Sequence, residues 1–179
     1  MADSMQEVEV KFLEVDGGSL TRKLLAIGAK KIFEGEVFAV YFEHPLGLIG
    51  SSEQLRLRRK RDVVKGDIVE LTYKKDKEKG KAKIADETEV KVSDYDAMHS
   101  LLRHLGFQEK RSQQKYRVSY QVKNFLYEFD TMPNIPTFLE VEASNIKSLE
   151  EAVSLIGLSM ENAKSWSGRD VIDYYARRK

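Results

Sequence analysis

Three ionisable residues near the start of the chain, Glu7, Glu9 and Lys11, alternate with the apolar residues Val8 and Val10. Successive side chains of an extended strand point to opposite faces, so this spacing predicts one apolar face and one fully ionised face. The apolar face is that of an ordinary strand packed on a core. The ionised face offers carboxylates for a divalent cation and an ammonium for a phosphate group.

The same alternation returns in later segments, and each segment tends towards charges of one sign. Clustered carboxylates suit hard cations such as Mg²⁺ or Mn²⁺, which take oxygen ligands. Arginine and lysine suit a polyanion, because guanidinium groups bind phosphate oxygens bidentately. Together they predict a metal and triphosphate site that works by positioning and electrostatics. The acidic set comprises Glu7, Glu9, Glu87, Glu89, Asp130, Glu140 and Glu142, and the basic set Lys11, Arg56, Arg58, Lys74, Lys115 and Arg117.

Two arrangements of the predicted sheet would present these charged faces. An open antiparallel sheet would leave them in water. A closed barrel would turn the apolar faces outward against helices and the charged faces into a tunnel. Charges that line a tunnel are costly to bury without partners, so the second arrangement predicts ion pairs and a bound ligand.

Composition limits the possible classes of protein. The chain has 179 residues, 41% hydrophobic and 33% charged, and we expect a single domain over residues 1–179. A net charge of +1 argues against general binding to nucleic acid or to a membrane surface. There is no cysteine, which excludes disulfides and zinc–thiolate sites. We find no transmembrane run and no signal-peptide pattern, so we expect a cytoplasmic protein.

Four segments have the spacing and end signals of helices, expected to begin near Asp16, Ser93, Ser148 and Ser167. The first is predicted over residues 16–29. Two of the others begin with the spacing of a capping box, Ser93 with Asp96 and Ser148 with Glu151. The lysine-rich stretch 74–83 favours a solvated hairpin loop over a lid on a bound anion. Asn124 predicts the tip of another hairpin.

The ordered series EVEVK, LRLR, LTYK, ETE, KYR and FLEVE resembles the CYTH superfamily, also called triphosphate tunnel metalloenzymes. The chain length, the VYFEHP stretch at 40–45 and the LGF before KRSQQKYR are most similar to the class IV adenylyl cyclase (CyaB-like) group. The resemblance implies an α+β fold, in which an eight-stranded antiparallel barrel forms a tunnel with helices packed outside. Members of this family are often dimers, so the resemblance also implies a homodimer.

The resemblance further implies roles for the ionised residues. It makes Glu7, Glu9 and Glu140 ligands of Mg²⁺ or Mn²⁺, with Asp130 and Glu142 close to the ions. Lys11 lies near the reacting phosphate and acts in catalysis with Glu7 and Glu9. Glu87 and Glu89 match an acidic pair that binds a second metal or orients the cations. The cations that match triphosphate-binding positions are Arg56, Arg58, Lys74, Lys115 and Arg117.

Two reactions use this set of charges. In a class IV adenylyl cyclase, the ribose 3′-oxygen of ATP attacks the α-phosphorus and pyrophosphate leaves. In a triphosphatase, water attacks the terminal phosphorus of tripolyphosphate or thiamine triphosphate. A polyphosphate-binding module without turnover and an RNA 5′-triphosphate processor are further alternatives. The chain departs from the family pattern at residues 135–137 and 165–170, where we expect differences at the tunnel mouth.

Overall fold

The computed structural model describes residues 5–178, which form a closed barrel of eight strands. The strands neighbour one another in the order β1-β5-β4-β3-β2-β6-β7-β8, and every neighbouring pair is antiparallel. The predicted barrel is therefore confirmed, and the open sheet is wrong. The strands are β1 Met5–Phe12, β2 Lys30–Glu43, β3 Glu53–Asp62, β4 Gly66–Lys79, β5 Lys83–Val92, β6 Gln108–Val122, β7 Phe125–Met132 and β8 Ile135–Ala143.

Within residues 5–178, four α-helices pack around the barrel: α1 Gly17–Ala26, α2 Tyr95–His104, α3 Ile146–Leu155 and α4 Gly168–Ala176. The capping boxes predicted at Ser93 and Ser148 are wrong. Asp94 and Asn145 are the actual N-caps of α2 and α3, and their side chains accept the backbone N–H groups of Ala97 and Ser148. Carboxylate and amide oxygens at this position satisfy N–H groups that have no partner within the helix. None of these helices is long and apolar enough to cross a membrane.

The outer face of the barrel carries most of the apolar core. Val8, Val10 and Val141 belong to the largest cluster, together with Leu24 of α1 and Leu149 of α3. A second cluster joins β2 and β3 to α2. Because side chains alternate along each strand, burying the apolar set outside leaves the ionised set facing inward.

One end of the barrel interior is apolar. Met132 and Phe138 share the inward faces of β7 and β8 with the acidic residues, and they pack on Val171 of α4. The same cluster includes Ile135, which lies in the segment that departs from the family pattern. The first residues of β8 and helix α4 therefore pack together at this end.

The lysine-rich stretch 74–83 is mostly strand, so the predicted hairpin loop is much shorter than expected. Its turn is confined to residues 80–82, between β4 and β5. Lys83 is only 2% exposed, because the carboxylates inside the barrel accept its charge. The hairpin tip predicted at Asn124 is confirmed, since residues 123–124 connect β6 to β7.

Candidate active site

A cavity of about 320 Å³ inside the barrel collects the ionised residues of the predicted site. Every one of them except Asp130 lines it, although they come from six different strands. Their convergence follows from closure, since each strand turns its charged face towards the same axis. The predicted residues that line the cavity are Glu7, Glu9, Lys11, Arg56, Arg58, Lys74, Glu87, Glu89, Lys115, Arg117, Glu140 and Glu142.

Four carboxylates form a cluster at the seam between β1 and β8, and we call Glu7, Glu9, Glu140 and Glu142 the acidic cluster. One oxygen of each lies within 4.8 Å of the corresponding oxygens of the others. The strand register explains this, because Glu9 lies opposite Glu142 and Lys11 opposite Glu140. An all-oxygen donor set of this size fits a hard divalent cation such as Mg²⁺ or Mn²⁺.

The pKa values of residues in the acidic cluster are shifted in different directions. Burial and the nearby carboxylates of Glu7, Glu128 and Glu140 raise the pKa of Glu142 well above its ordinary value. Burial also raises the pKa of Glu9, although Lys11 opposes the shift. Burial would raise the pKa of Glu140 as well, but Lys11 and Arg117 hold it well below the usual range. A bound divalent cation would relieve the repulsion among these groups.

Two buried lysines hold Glu9 in place. The Lys11 ammonium lies 2.8 Å from Glu140 Oε2 and 3.4 Å from Glu9 Oε1. Lys83 Nζ lies 3.1 Å from the same Glu9 oxygen and 3.0 Å from Asp76. Burial alone would lower the pKa of Lys11, but Glu140 and Glu9 raise it overall, so the ammonium stays charged. Both ammonium groups therefore contact Glu9 Oε1, and together they fix the orientation of the carboxylate.

Lys74 reaches into the acidic cluster from β4. Its ammonium is ion-paired with Glu7 and lies 3.4 Å from Glu87 Oε2 and 3.9 Å from Glu9 Oε2. Burial disfavours this charge, but Glu9 and Glu7 raise the pKa of Lys74 overall. Lys74 therefore carries a full positive charge among three carboxylates.

Asp130 lies outside the acidic cluster and is fully buried behind the cations. Arg117 donates to both of its oxygens at 2.6 and 2.7 Å, and Lys115 donates to Oδ2 at 2.7 Å. Burial would raise the pKa of Asp130, but Arg117 and Lys115 lower it overall. The structure thus places Asp130 where it orients two of the predicted triphosphate-binding residues.

The acidic pair on β5 lies against the arginines of β3. Arg56 Nη2 is 3.4 Å from Glu87 Oε1, and Arg58 Nη2 is 3.0 Å from Glu89 Oε2. Glu70, from β4, holds Arg58 from the other side at 2.7 Å. These contacts fix the direction of both guanidinium groups towards the cavity.

Several lining residues were not predicted as site residues, among them Tyr41, Lys83, Arg111 and Gln113. The Arg111 guanidinium lies 3.2 Å from the centre of the Tyr41 ring, and the Tyr41 hydroxyl lies 3.4 Å from Gln113. Burial opposes ionisation of Tyr41, but Arg56 and Arg111 lower its pKa to about 8. Strand β2 does not show an alternation of charged residues around Tyr41, because the residues that share its inward face are Val37 and Ala39. Lys83 does continue the inward alternation of Glu87 and Glu89, and that signal could have found it.

The start of α4 forms part of the cavity wall through Ser167, Gly168 and Arg169. The segment before it is anchored to β1, since the backbone N–H groups of Lys11 and Lys164 each donate to the other residue's carbonyl at 2.8 Å. Ser167 and Asp170 form a reciprocal capping box, as their spacing allows. The region 165–170, which departs from the family pattern, therefore contacts the cavity.

Comparison with known proteins agrees with this architecture. A CYTH domain model matches residues 5–163. Two similar structures are the Pyrococcus horikoshii OT3 proteins PH1012 and PH1819, both 26% identical; the matches cover 92% and 94% of this chain and 98% of each relative, with TM-scores of 0.75 and 0.76. A Vibrio parahaemolyticus protein provisionally named an adenylate cyclase shares the fold at 16% identity, 96% and 99% coverage and a TM-score of 0.77. Among curated proteins, none matches the chain significantly.

Proposed function

The chain belongs to the CYTH domain family, and from this premise we propose that it is a metal-dependent enzyme that acts on a triphosphate inside the barrel. One observation carries the proposal. The acidic cluster and the predicted triphosphate-binding cations line the same cavity of about 320 Å³. Oxygen ligands for a divalent cation and a surrounding set of guanidinium and ammonium groups are together the requirements of phosphoryl chemistry.

The residues divide the work by charge. Arg56, Arg58 and Arg117 bind the phosphate chain, and their carboxylate partners keep them directed at it. Lys11 is ion-paired with Glu9 and Glu140 of the acidic cluster, and its ammonium would neutralise charge that develops on the reacting phosphate. A Mg²⁺ or Mn²⁺ ion held by the acidic cluster would supply polarisation of phosphate oxygens.

The first candidate reaction is that of a class IV adenylyl cyclase, which the sequence resemblance supports. The 3′-hydroxyl of ATP loses its proton and its oxygen bonds to the α-phosphorus. The bond from that phosphorus to the bridging oxygen breaks, and the products are 3′,5′-cyclic AMP and pyrophosphate. Cyclisation needs the ribose held over the α-phosphate, so contacts at the tunnel mouth must position the nucleoside.

The second candidate is hydrolysis of inorganic triphosphate or thiamine triphosphate, and the lining of the cavity favours it. Among residues 5–178, Tyr41 is the one aromatic side chain that lines the cavity, and Arg111 covers one face of its ring. Stacking of a nucleobase normally uses an open aromatic face. A phosphate chain needs only the charged groups that the cavity supplies in abundance.

Product analysis separates the two reactions. Purified protein is incubated with ATP, tripolyphosphate or thiamine triphosphate, each with Mg²⁺ or Mn²⁺, and the Glu140→Ala variant serves as the control for contaminating phosphatases. Cyclic AMP with pyrophosphate from ATP supports the cyclase. Orthophosphate from tripolyphosphate without cyclic nucleotide supports the hydrolase. Binding without turnover of any substrate contradicts an enzyme and favours the polyphosphate-binding module.

Two properties of the whole protein are also proposed from the sequence. The resemblance supports a homodimer, which light scattering of the purified protein would detect. A cytoplasmic location is the second proposed property, and fractionation of cells expressing the protein would test it.

A further inference from the structure

The side chain of Lys74 lies where a metal ion would bind in the acidic cluster. Its ammonium is ion-paired with Glu7 and lies 3.9 Å from Glu9, and both carboxylates belong to the acidic cluster. We propose that Lys74 occupies the acidic cluster when no metal is bound, and that a divalent cation displaces it towards the triphosphate. The inference rests on the metal site of the proposed function and adds a competitor to that site.

Competition follows from the small size of the cluster. Its four ligand oxygens lie within 4.8 Å of one another, and a divalent cation would bind them at about 2.0–2.6 Å. The Lys74 ammonium contacts the Glu7 oxygen Oε2 directly. An ammonium and a divalent ion on the same few oxygens would repel strongly in a site with little water. Metal binding therefore requires Lys74 to move.

The other two lysines at Glu9 are held differently. Lys83 is tied to Asp76, which is not part of the acidic cluster, and it contacts Glu9 through Oε1. Lys11 also contacts two members of the acidic cluster, Glu9 through the same Oε1 atom and Glu140 through Oε2. Both contacts leave Glu9 Oε2 to other partners. Of the lysines in residues 5–178, Lys74 is the one that approaches this second oxygen, at 3.9 Å.

Lys74 also has a second carboxylate to which it can move. Glu87 Oε2 lies 3.4 Å from its ammonium, and Glu87 Oε1 lies 3.4 Å from Arg56 Nη2. Displacement from Glu7 therefore brings Lys74 to the side of the cavity where Arg56 binds phosphate. Released in this way, Lys74 adds a positive charge to the triphosphate site at the moment the metal arrives.

The exchange couples the two ligands. The metal removes Lys74 from the carboxylates and makes it available to phosphate, and phosphate draws Lys74 away from the metal position. Each ligand thus raises the affinity for the other by the same factor. Direct contacts between metal and phosphate also couple the two ligands, but the part of the coupling described here depends on the Lys74 side chain alone.

The direct test measures the affinity for Mn²⁺ in the absence of any polyanion. Electron paramagnetic resonance reports the concentration of the free ion. Lys74→Met removes the competing charge and nearly keeps the side-chain volume, so we expect Mn²⁺ to bind about tenfold more tightly, or by about 1.4 kcal/mol. Lys75→Met is the matched control, because Lys75 is the next residue, is exposed and pairs with Glu53. Its Mn²⁺ affinity should equal that of the unaltered protein.

The outcomes are distinct. Equal or weaker Mn²⁺ binding by folded Lys74→Met overturns the competition while the metal site stands. Absence of Mn²⁺ binding in all three proteins contradicts the metal site itself, and with it both proposals. Circular dichroism establishes that the variants are folded, and Lys74→Gln replaces Lys74→Met if the latter does not fold.

A second measurement uses the unaltered protein. In ¹⁵N-lysine spectra, a buried ion-paired ammonium exchanges its protons slowly, and Lys74→Arg identifies the signal of Lys74. Mg²⁺ should shift or remove this signal while the Lys83 signal persists. A Lys74 signal that stays unchanged as Mg²⁺ saturates the protein overturns the proposal.

Discussion

Val141 and Glu142 are adjacent residues of β8 that face opposite sides of the barrel wall. Val141 is completely buried in the outer core against α1 and α3. Glu142 faces the cavity, where burial and neighbouring carboxylates raise its pKa well above the ordinary value. The outer residue stabilises the fold by removing apolar surface from water. The inner residue has a carboxylate whose charge the folded protein disfavours, and the proposed metal site would account for its position.

The difference extends around the whole barrel. The outer clusters need only apolar side chains of suitable volume. The inner face needs each charge to meet a partner, because a buried ion left unpaired is far more costly than a small cavity. Stability and chemistry are therefore assigned to alternate residues of the same strands, and substitutions on the two faces should have separable effects.

The largest effect on stability is expected on the inner face, at Arg117. Its guanidinium binds Asp130 bidentately and also pairs with Glu128, and all three residues are buried. Arg117→Met leaves these carboxylates without their main partner and should lower the free energy of unfolding by about 3–5 kcal/mol. Urea denaturation measures this. A loss below about 1 kcal/mol would show that water reaches the pair and that the inner face is not a dry network.

Glu142→Gln should separate activity from stability. Turnover should fall about 10²–10³-fold, because one oxygen ligand and its charge are lost from the acidic cluster. The raised pKa of Glu142 means that its stabilising contribution is present in acid and is lost as pH rises through that pKa. The metal-free variant should therefore melt higher than the unaltered protein at neutral pH, and the gap should shrink in acid. A lower melting temperature at neutral pH would contradict this assignment.

Val141→Ala is the matched change on the outer face. It removes two buried methyl groups and should lower the free energy of unfolding by about 2 kcal/mol, from about 0.8 kcal/mol per group plus a cavity term. Turnover per folded molecule and Mn²⁺ affinity should not change. A loss of turnover comparable to that of Glu142→Gln would break the separation of the two faces.

The last prediction is confined to a window of alkaline pH and concerns a single proton on Tyr41. Its pKa of about 8 lies below the ordinary value of 10.0, so between these values the unfolded chain binds more protons than the folded one. Stability relative to Tyr41→Phe should rise across this window by at most about 1.4 kcal/mol per pH unit. The ultraviolet absorbance of tyrosinate should show a midpoint near 8 that the variant lacks. Bound tripolyphosphate should raise this midpoint by screening Arg56 and Arg111.

The strand faces could be predicted because alternation is local. Glu7, Glu9 and Lys11 lie on the inward face that their spacing indicates, and so do Arg56 and Arg58. Depth and register are not local. Alternation places Asp130 on the inward face, but only the pairing of β6 with β7 brings it opposite Arg117 and away from the acidic cluster.

Two other features required long-range information. The lysine-rich stretch has the composition of a solvated loop, yet Lys83 is buried because Glu9, 74 positions earlier in the chain, accepts its charge. Tyr41 gave no charge signal, and its low pKa arises from Arg56 and Arg111 on the two neighbouring strands. Local sequence therefore predicts which residues face the cavity better than it predicts what they contact.

The pairing of β1 with β8 bears on how the chain acquires its structure. Val8 lies opposite Ala143, and on its other side opposite Ile84, so neither edge of the first strand has a partner nearby in sequence. During synthesis β1 emerges from the ribosome before the other seven strands of the barrel, and its pairing with β8 must wait until residues 135–143 have followed. Contacts of such long sequence separation make folding slow, because the entropy of closing the loop is lost before the contacts form. Until β8 and α3 arrive, one edge of β1 has no partner and Val8 and Val10 lack part of their apolar cover, which exposes the nascent chain to aggregation.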